Sequence, residues 1–323
     1  MRRLRLAGLV CLVLAAAAGG AGWWAFSWFR APGPLAAPKS LVIARTGRLE
    51  PVGAELAEAG IITHPELFAA ATWFTRRQGE VKAGEYAFTP GMSPEAALAL
   101  LRSGKTVVHR LVVPEGLTSA EIVALVEHGE ALADQITDEP GEGQLEPETY
   151  FYSYGDKRQA LIDRMKRARQ KQLAELWAAR DPEIPLKDVE EAVTLASIVE
   201  KETSIPAERP KIAAVFYNRL RLGMKLQADP TVIYAVTGGK RPLDRALTKP
   251  DLAMESPYNT YQVQGLPPGP IGNPGRAAIE AVLKPDHSDA LYFVADGTGG
   301  HAFAATLDEH NKNVARWRQS GTH

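Results

Sequence analysis

From Leu6 to Phe29 the chain carries no charged residue. That run exceeds the roughly 20 residues a helix needs to cross a bilayer core. It constrains the rest of the chain, because whatever follows must fold on one side of a membrane. Arg2, Arg3 and Arg5 precede the run, and such a cationic flank keeps the N-terminus cytoplasmic. Trp23, Trp24 and Trp28 then occupy the far interface, where amphipathic rings prefer to lie. A cleaved signal peptide is the rival reading, since small residues between Ala15 and Gly22 offer a cleavage site. The length of the apolar run favours an uncleaved anchor. Cys11 is the single cysteine, which excludes an intramolecular disulfide and a cysteine-based metal site. It lacks the small residues that precede a lipoprotein cysteine and reads as inert within the membrane.

The chain has 323 residues, enough for about two domains at the usual ~100–200 residues each. A net charge of −1 and a pI near 6.7 lack the basic balance of a nucleic-acid binder, so no nucleic-acid partner is expected. After the anchor (1–30), residues 31–39 hold three prolines and read as a stiff linker. Two segments then align without gaps at an offset of 25, "GMSPEAALALL" from Gly91 and "GLTSAEIVALV" from Gly116. Each follows a β-prone stretch and opens a helix with a hydroxyl residue, Ser93 or Thr118, suited to capping. The repeat argues for a small α+β module over 40–128; the plainer alternative is two ordinary, well-capped helices.

Residues 129–323 form the remaining domain. The pattern predicts a helix over 157–179, with Ile162, Met165, Ala168, Leu173 and Leu176 inward and a cationic surface that includes Arg169. Further helices are expected at about 187–203 and 210–222, the second stopped by Gly223. Another follows from Asp229 as N-cap, with Pro230 at the first helical position. "GRAAIEAVL" and "LDEHNKNVARWRQ" read as helices, and "ALYFVADGTGGHAFAA" as a hairpin. "YNTYQVQGLPPGPIGNPG" contains four prolines and four glycines and cannot be regular structure.

The segment "LASIVEKETSIP" (Leu195–Pro206) sets two glutamates in an apolar helix. At 100° per residue, Val189, Ala192, Val193, Leu195, Ala196, Ile198 and Val199 cover one side, and Glu190, Thr194, Ser197 and Lys201 the other. Glu200 and Glu202 fall inside opposite margins of the apolar arc, so the wheel alone does not choose between them. Position along the axis favours Glu202. Pro206 ends the helix soon after it, so the helix dipole and apolar neighbours both raise its pKa, as a general acid requires. A surface pair bonded to Lys201 or Arg209 is the alternative.

In order along the chain, "KAGEYAFTPGMSPEAALALL", "VPEGLTSAEI", "EGQLEPETY", "ASIVEKET", "VFYNRLRLGMKLQADPTVIYAV", "YNTYQVQGLPPGPIGNPG" and "LYFVADGTGGHAF" closely resemble the YceG-like family. The resemblance implies an α+β fold: an N-terminal transmembrane helix, a LysM-like α+β module, then a helix-rich catalytic domain with a lysozyme-like core. It implies a membrane-bound lyase on the periplasmic side of the inner membrane, a peptidoglycan lytic transglycosylase. Such an enzyme cuts the MurNAc–GlcNAc bond within nascent strands and leaves 1,6-anhydro ends. The family's catalytic glutamate is the second of "EKET", which is Glu202 here. Lysozyme-like transglycosylases carry their acid in a helix-terminal Glu–Ser pair, and Glu202–Thr203 is similar, whereas Glu200–Lys201 is not. No cofactor is implied. The family's association with glycan polymerisation implies a peptidoglycan synthase (penicillin-binding protein) as partner.

Further substrate-binding candidates are Gln227 beside the Asp229 cap, Tyr258, Asn259 and Tyr261 of "YNTY", Asn273, and Glu142 of "EGQLEPETY". Aromatic faces with amides suit sugar rings, while loop packing is the plain alternative for each. "GLPPGPIGNPG" reads as a rigid cleft wall with Leu266 packed beneath. Asp296, His301 and His310 match no recognised metal signature, and no metal site is expected. A non-catalytic glycan-binding anchor and a hydrolytic muramidase remain as alternative functions.

Overall fold

The computed structural model describes residues 2–44 and 50–319, with no side-chain detail for 2–5 and 50. The flanking Arg2, Arg3 and Arg5 therefore lie outside the described side chains, and 45–49 of the expected 40–128 module lie outside the described residues. The chain divides into two compact units, Met1–His109 with Phe151–Gly155, and Arg110–Tyr150 with Asp156–His323.

In the first unit, α1 (Arg2–Arg30) is the one helix among the described residues long and apolar enough to cross a membrane. β1 (Lys39–Ile43) pairs antiparallel with β2 (Gly84–Phe88), Leu41 opposite Tyr86. Between them lie α2 (Glu50–Glu58) and α3 (Pro65–Phe74). α4 (Pro94–Ser103) begins as the sequence predicts: the Ser93 hydroxyl accepts the Ala96 N–H, and Gly104 closes the helix at φ 70°. Ile43, Leu56, Ile61, Phe68, Tyr86, Phe88 and Leu101 fill the core.

β3 (Val108–Val112) and β4 (Thr149–Ser153) form a two-stranded sheet. In the second unit α5 (Ser119–Glu127) starts with a complete capping box between Thr118 and Glu121. The Thr118 hydroxyl also donates to Gly239 O at 2.6 Å. α6 (Arg158–Ala178) buries Leu161, Ile162, Met165 and Leu176. It also buries Arg169, which corrects the expectation of a solvated side chain. The guanidinium donates to Leu145 O, Gln172 Oε1 and Pro274 O and pairs with Glu146 at 3.1 Å. A five-donor fork can enter a core only when carbonyls and a carboxylate await it.

The hydrophobic centre of this unit is α7 (Val189–Glu202), α8 (Arg209–Arg221) and α11 (Arg276–Leu283), through Leu195, Ile198, Val199, Ile212, Phe216, Ile279 and Val282. Asp188 caps α7 by accepting the Glu191 N–H. The polar flank of α7 is solvated only at its ends, Glu190 and Lys201, since every residue from Ala192 to Val199 is buried. Thr194 and Ser197 satisfy their hydroxyls on Glu190 O and Thr194 O, and Ser197 Oγ then accepts the Ile271 N–H at 3.0 Å. α8 gives way at Leu222 and Gly223 (φ 65°).

α9 (Asp229–Thr237) is capped by Ala228, so Asp229 stands inside the first turn and not at the predicted cap position. The short α10 (Lys249–Ala253) follows. β5 (Tyr292–Ala295) and β6 (His301–Ala304) make the predicted hairpin, Phe293 opposite Phe303, and α12 (Leu307–Gln319) closes the described chain.

Candidate active site

The two glutamates that the wheel could not separate have opposite environments. The Glu200 side chain is 6% exposed and held twice: Oε1 accepts from Arg209 at 2.6 Å, Oε2 from the Gly275 N–H at 2.8 Å. Its lone pairs serve the fold. Glu202, the last residue of α7, is half-buried and accepts no hydrogen bond among the described residues. Thr203 turns the chain extended at φ −144° and caps the end, its hydroxyl donating to Glu208 Oε2 and accepting the Ile205 N–H.

Burial pushes the Glu202 carboxyl up to about 8; the nearby negative charge of Asp229 adds to the rise and the Arg219 guanidinium opposes it. The group is therefore a protonated acid at neutral pH. Arg219 itself is buried and committed to Leu226 O and Leu291 O, both at 2.7 Å. Asp229 Oδ1 accepts the Tyr261 hydroxyl at 2.6 Å. Burial and the Asp229 bond both push the Tyr261 phenol well above its usual range.

Gln227 stands beside this group, exposed between buried Leu226 and Ala228. Its backbone is left-handed at φ 51°, a conformation costing a non-glycine residue roughly 1–2 kcal/mol. The Gln227 N–H is tied to Thr260 O at 3.1 Å, which holds the strained turn.

Glu142 and Tyr258 meet in a second cluster. Glu142 Oε2 accepts the Ser119 N–H at the start of α5, yet burial keeps the carboxyl above its ordinary range. Tyr258 packs on Tyr234 with ring centroids 4.8 Å apart. Both phenols are raised mainly by burial and secondarily by the charge of Glu142, Tyr234 to about 12. Lys201 supplies a cationic neighbour to Glu142.

Two candidates are corrected. Asn259 is fully buried; its Nδ2 donates to Leu252 O and Met254 O and its Oδ1 accepts the Tyr261 N–H. Asn273 is equally buried, Oδ1 accepting from Leu145 N and Nδ2 donating to Leu117 O and Ser119 Oγ. Both amides hold loops in shape and have no capacity left for a sugar. At the predicted loop wall, a Cβ on Gly272 would meet Gly116 O at 2.7 Å, so only glycine fits that approach.

Of the residues tested for metal, His301 Nδ1 lies 2.7 Å from Glu208 Oε2 and Asp296 Oδ1 accepts the Thr298 and Gly300 N–H groups of the hairpin turn. No group of three potential ligands gathers among the described residues. Sequence reading missed Asp229, Arg219 and Tyr234 as neighbours of the site. The signal available was "QADP", in which Asp229 had a second explanation as a cap.

These features define a class: an α+β protein bearing an N-terminal apolar helix and, at the end of a helix buried through its middle, a carboxyl kept protonated and without a hydrogen-bond partner among the described residues. The YceG-like family model matches residues 41–316, and the chain belongs to that family. It is 37% identical over 272 residues to a Bacillus subtilis protein named endolytic murein transglycosylase, covering 74% of each chain. A Streptococcus pneumoniae protein of the same name is 32% identical over 315 residues, 83% of this chain and 56% of that one. The crystal structure of a YceG-like protein from Listeria monocytogenes aligns with a TM-score of 0.53 at 30% identity, covering 85% of this chain and 98% of that one.

Proposed function

We propose that the chain is a membrane-anchored peptidoglycan lytic transglycosylase, a lyase that cuts the MurNAc–GlcNAc bond inside nascent strands. The observation that carries this reading is Glu202, an acid raised to about 8 and without a hydrogen bond among the described residues, in a chain whose relatives are named for that activity. The protonated carboxyl donates to the bridging glycosidic oxygen and the bond to the muramic anomeric carbon breaks. The oxocarbenium-like centre is then attacked by the sugar's own 6-hydroxyl, whose proton passes to the Glu202 carboxylate. The products are a new glucosamine 4-hydroxyl and a 1,6-anhydro-muramic end, and no water is consumed. A tethered hydroxyl has a very high effective concentration, so no second carboxylate need act as nucleophile. Gln227, Tyr258, Tyr261 and Glu142 are the polar and aromatic groups offered to the sugars.

In this reading α1 is an uncleaved inner-membrane anchor with the remaining chain on the periplasmic side. The matched caps at Ser93 and Thr118 support a LysM-like module within 40–128, and the helices α8, α9 and α11 packed on α7 support a lysozyme-like core in 129–323. A peptidoglycan synthase is the expected partner.

The test is mass spectrometry of sacculi digested by the full chain. Anhydro-muramic ends are expected, and Glu202→Gln is expected to abolish them. Full activity in that variant would remove Glu202 from its role. A hydrolytic muramidase is the second reading, favoured by the nearness of Asp229, since a retaining hydrolase needs a second carboxylate about 5–5.5 Å from the acid. Reducing ends in place of anhydro ends would select it, and absence of cleavage would select a binding protein.

A further inference from the structure

Within the first unit, the last turns of α1 do not stand free. The Trp28 indole donates to Thr63 Oγ1 at 2.8 Å, and both Trp24 and Trp28 meet the His64 ring edge-on, with centroids 5.2 and 5.5 Å apart. Arg30 lies 3.5 Å from Glu95 at the start of α4. These contacts pin the start of α3 to the end of α1. The far end of α3 returns to the same place. Phe26 and Phe29 of α1, with Leu67, Ala70 and Phe74 of α3, line a groove of about 820 Å³.

The rim of that groove is aromatic and rich in arginine, with Glu95, the partner of Arg30, also lining it. Phe74 is 75% exposed and Trp73 54%, far more than large apolar side chains usually show next to an available core. Arg76 lies over the Trp73 ring at 4.4 Å and Arg30 over Phe26 at 4.5 Å. Arg77 is exposed beside them. Arg102 is spent on Thr72 O and Thr75 Oγ1.

The height of this face follows from α1. Leu6 to Trp24 rises about 28 Å at ~1.5 Å per residue, close to the roughly 30 Å of a hydrocarbon core. The next turns, Ala25–Arg30, then stand at the interface, where aromatic rings and arginines concentrate. His64, just before α3, meets Trp24 and Trp28, and Phe74 at its far end lines the groove with Phe26 and Phe29, so both ends of α3 lie beside those turns. Part of the groove wall is α1 itself, through Ala25, Phe26, Trp28 and Phe29.

We infer that the α1–α3 face is a bilayer seat, its groove filled by phospholipid acyl chains and Arg76 and Arg77 set against lipid phosphates. The occupant is lipid because the groove is walled in part by α1 and its rim is rich in arginine. The inference rests on the anchor reading of α1.

The test uses the full chain with Cys11→Ser, in nanodiscs of zwitterionic and anionic phospholipid. One sample carries a nitroxide at Phe74→Cys and another at Trp23→Cys; both native side chains are exposed, so the core is spared. Spin relaxation by oxygen and by a water-soluble nickel chelate reports depth. Both labels are expected to favour oxygen severalfold, and Arg76→Glu with Arg77→Glu is expected to shift the label at 74 toward the chelate at an unchanged unfolding midpoint. A chelate-dominated label at 74 beside an oxygen-dominated label at 23 would overturn the seat alone. Chelate dominance at both would overturn the anchor as well. Protection of 74 from both reagents would mean a protein covers the face and would also overturn the proposal.

Discussion

Glu200 and Glu202 are two residues apart, and their hydrogen bonds assign them opposite work. One is spent on Arg209 and Gly275, the other is left protonated. The helix wheel could not separate them because those partners lie outside α7, Arg209 on the next helix and Gly275 in a segment distant in sequence. Axial position and the approaching proline did point to Glu202, since the dipole and burial act from local structure alone. Ionising this acid costs more in the fold than in the unfolded chain, where its value is near 4.5. Between about pH 4.5 and 8 the native state therefore holds more protons, and stability falls as pH rises across that window. Glu202→Gln should match the parent in thermal unfolding below pH 4.5 and exceed it above pH 8. The difference is on the order of a few kcal/mol, lessened by solvent at the half-buried tip. Asp229→Asn removes a charge that raises Glu202, so the alkaline limb of the rate profile should move to lower pH. An unmoved limb would detach Asp229 from the acid.

At the scale of elements, caps and stops were legible: Ser93, Thr118, Gly223 and the hairpin around its glycine-rich turn all stand where local chemistry puts them. What misled at Arg169 was polarity treated as exposure. Thr194, Ser197 and Arg169 are buried because their partners, Glu190 O, Ile271 N and Pro274 O, are backbone groups that a side-chain pattern does not reveal. Asp229 misled in the same way, with Ala228 taking the cap and the carboxylate turned to Tyr261. Ser197→Ala should strand the Ile271 N–H and lower stability by about 1–3 kcal/mol. Arg169→Met strands Glu146 and two carbonyls together, so its loss should reach about 3–5 kcal/mol. Calorimetry of both variants measures the order: an Arg169→Met effect no larger than that of Ser197→Ala would show that the fork holds nothing.

For the whole molecule, the long apolar helix was legible from charge-free length, while the partition of the rest was not. The compact units part at His109, between the two repeated segments, and take residues 151–155 back into the first. That return depends on long-range pairing, which a repeat at short offset hides. An uncleaved anchor predicts an intact mass near 35.0 kDa in carbonate-washed membranes; a lighter, released species would mark the apolar helix as a leader. Glu200 has a consequence on heating. By bolting the end of α7 to Gly275 and Arg209, it denies the neighbouring acid any private way to fray. The catalyst should not wear out by degrees as temperature climbs, but fail in one step when its half of the protein melts.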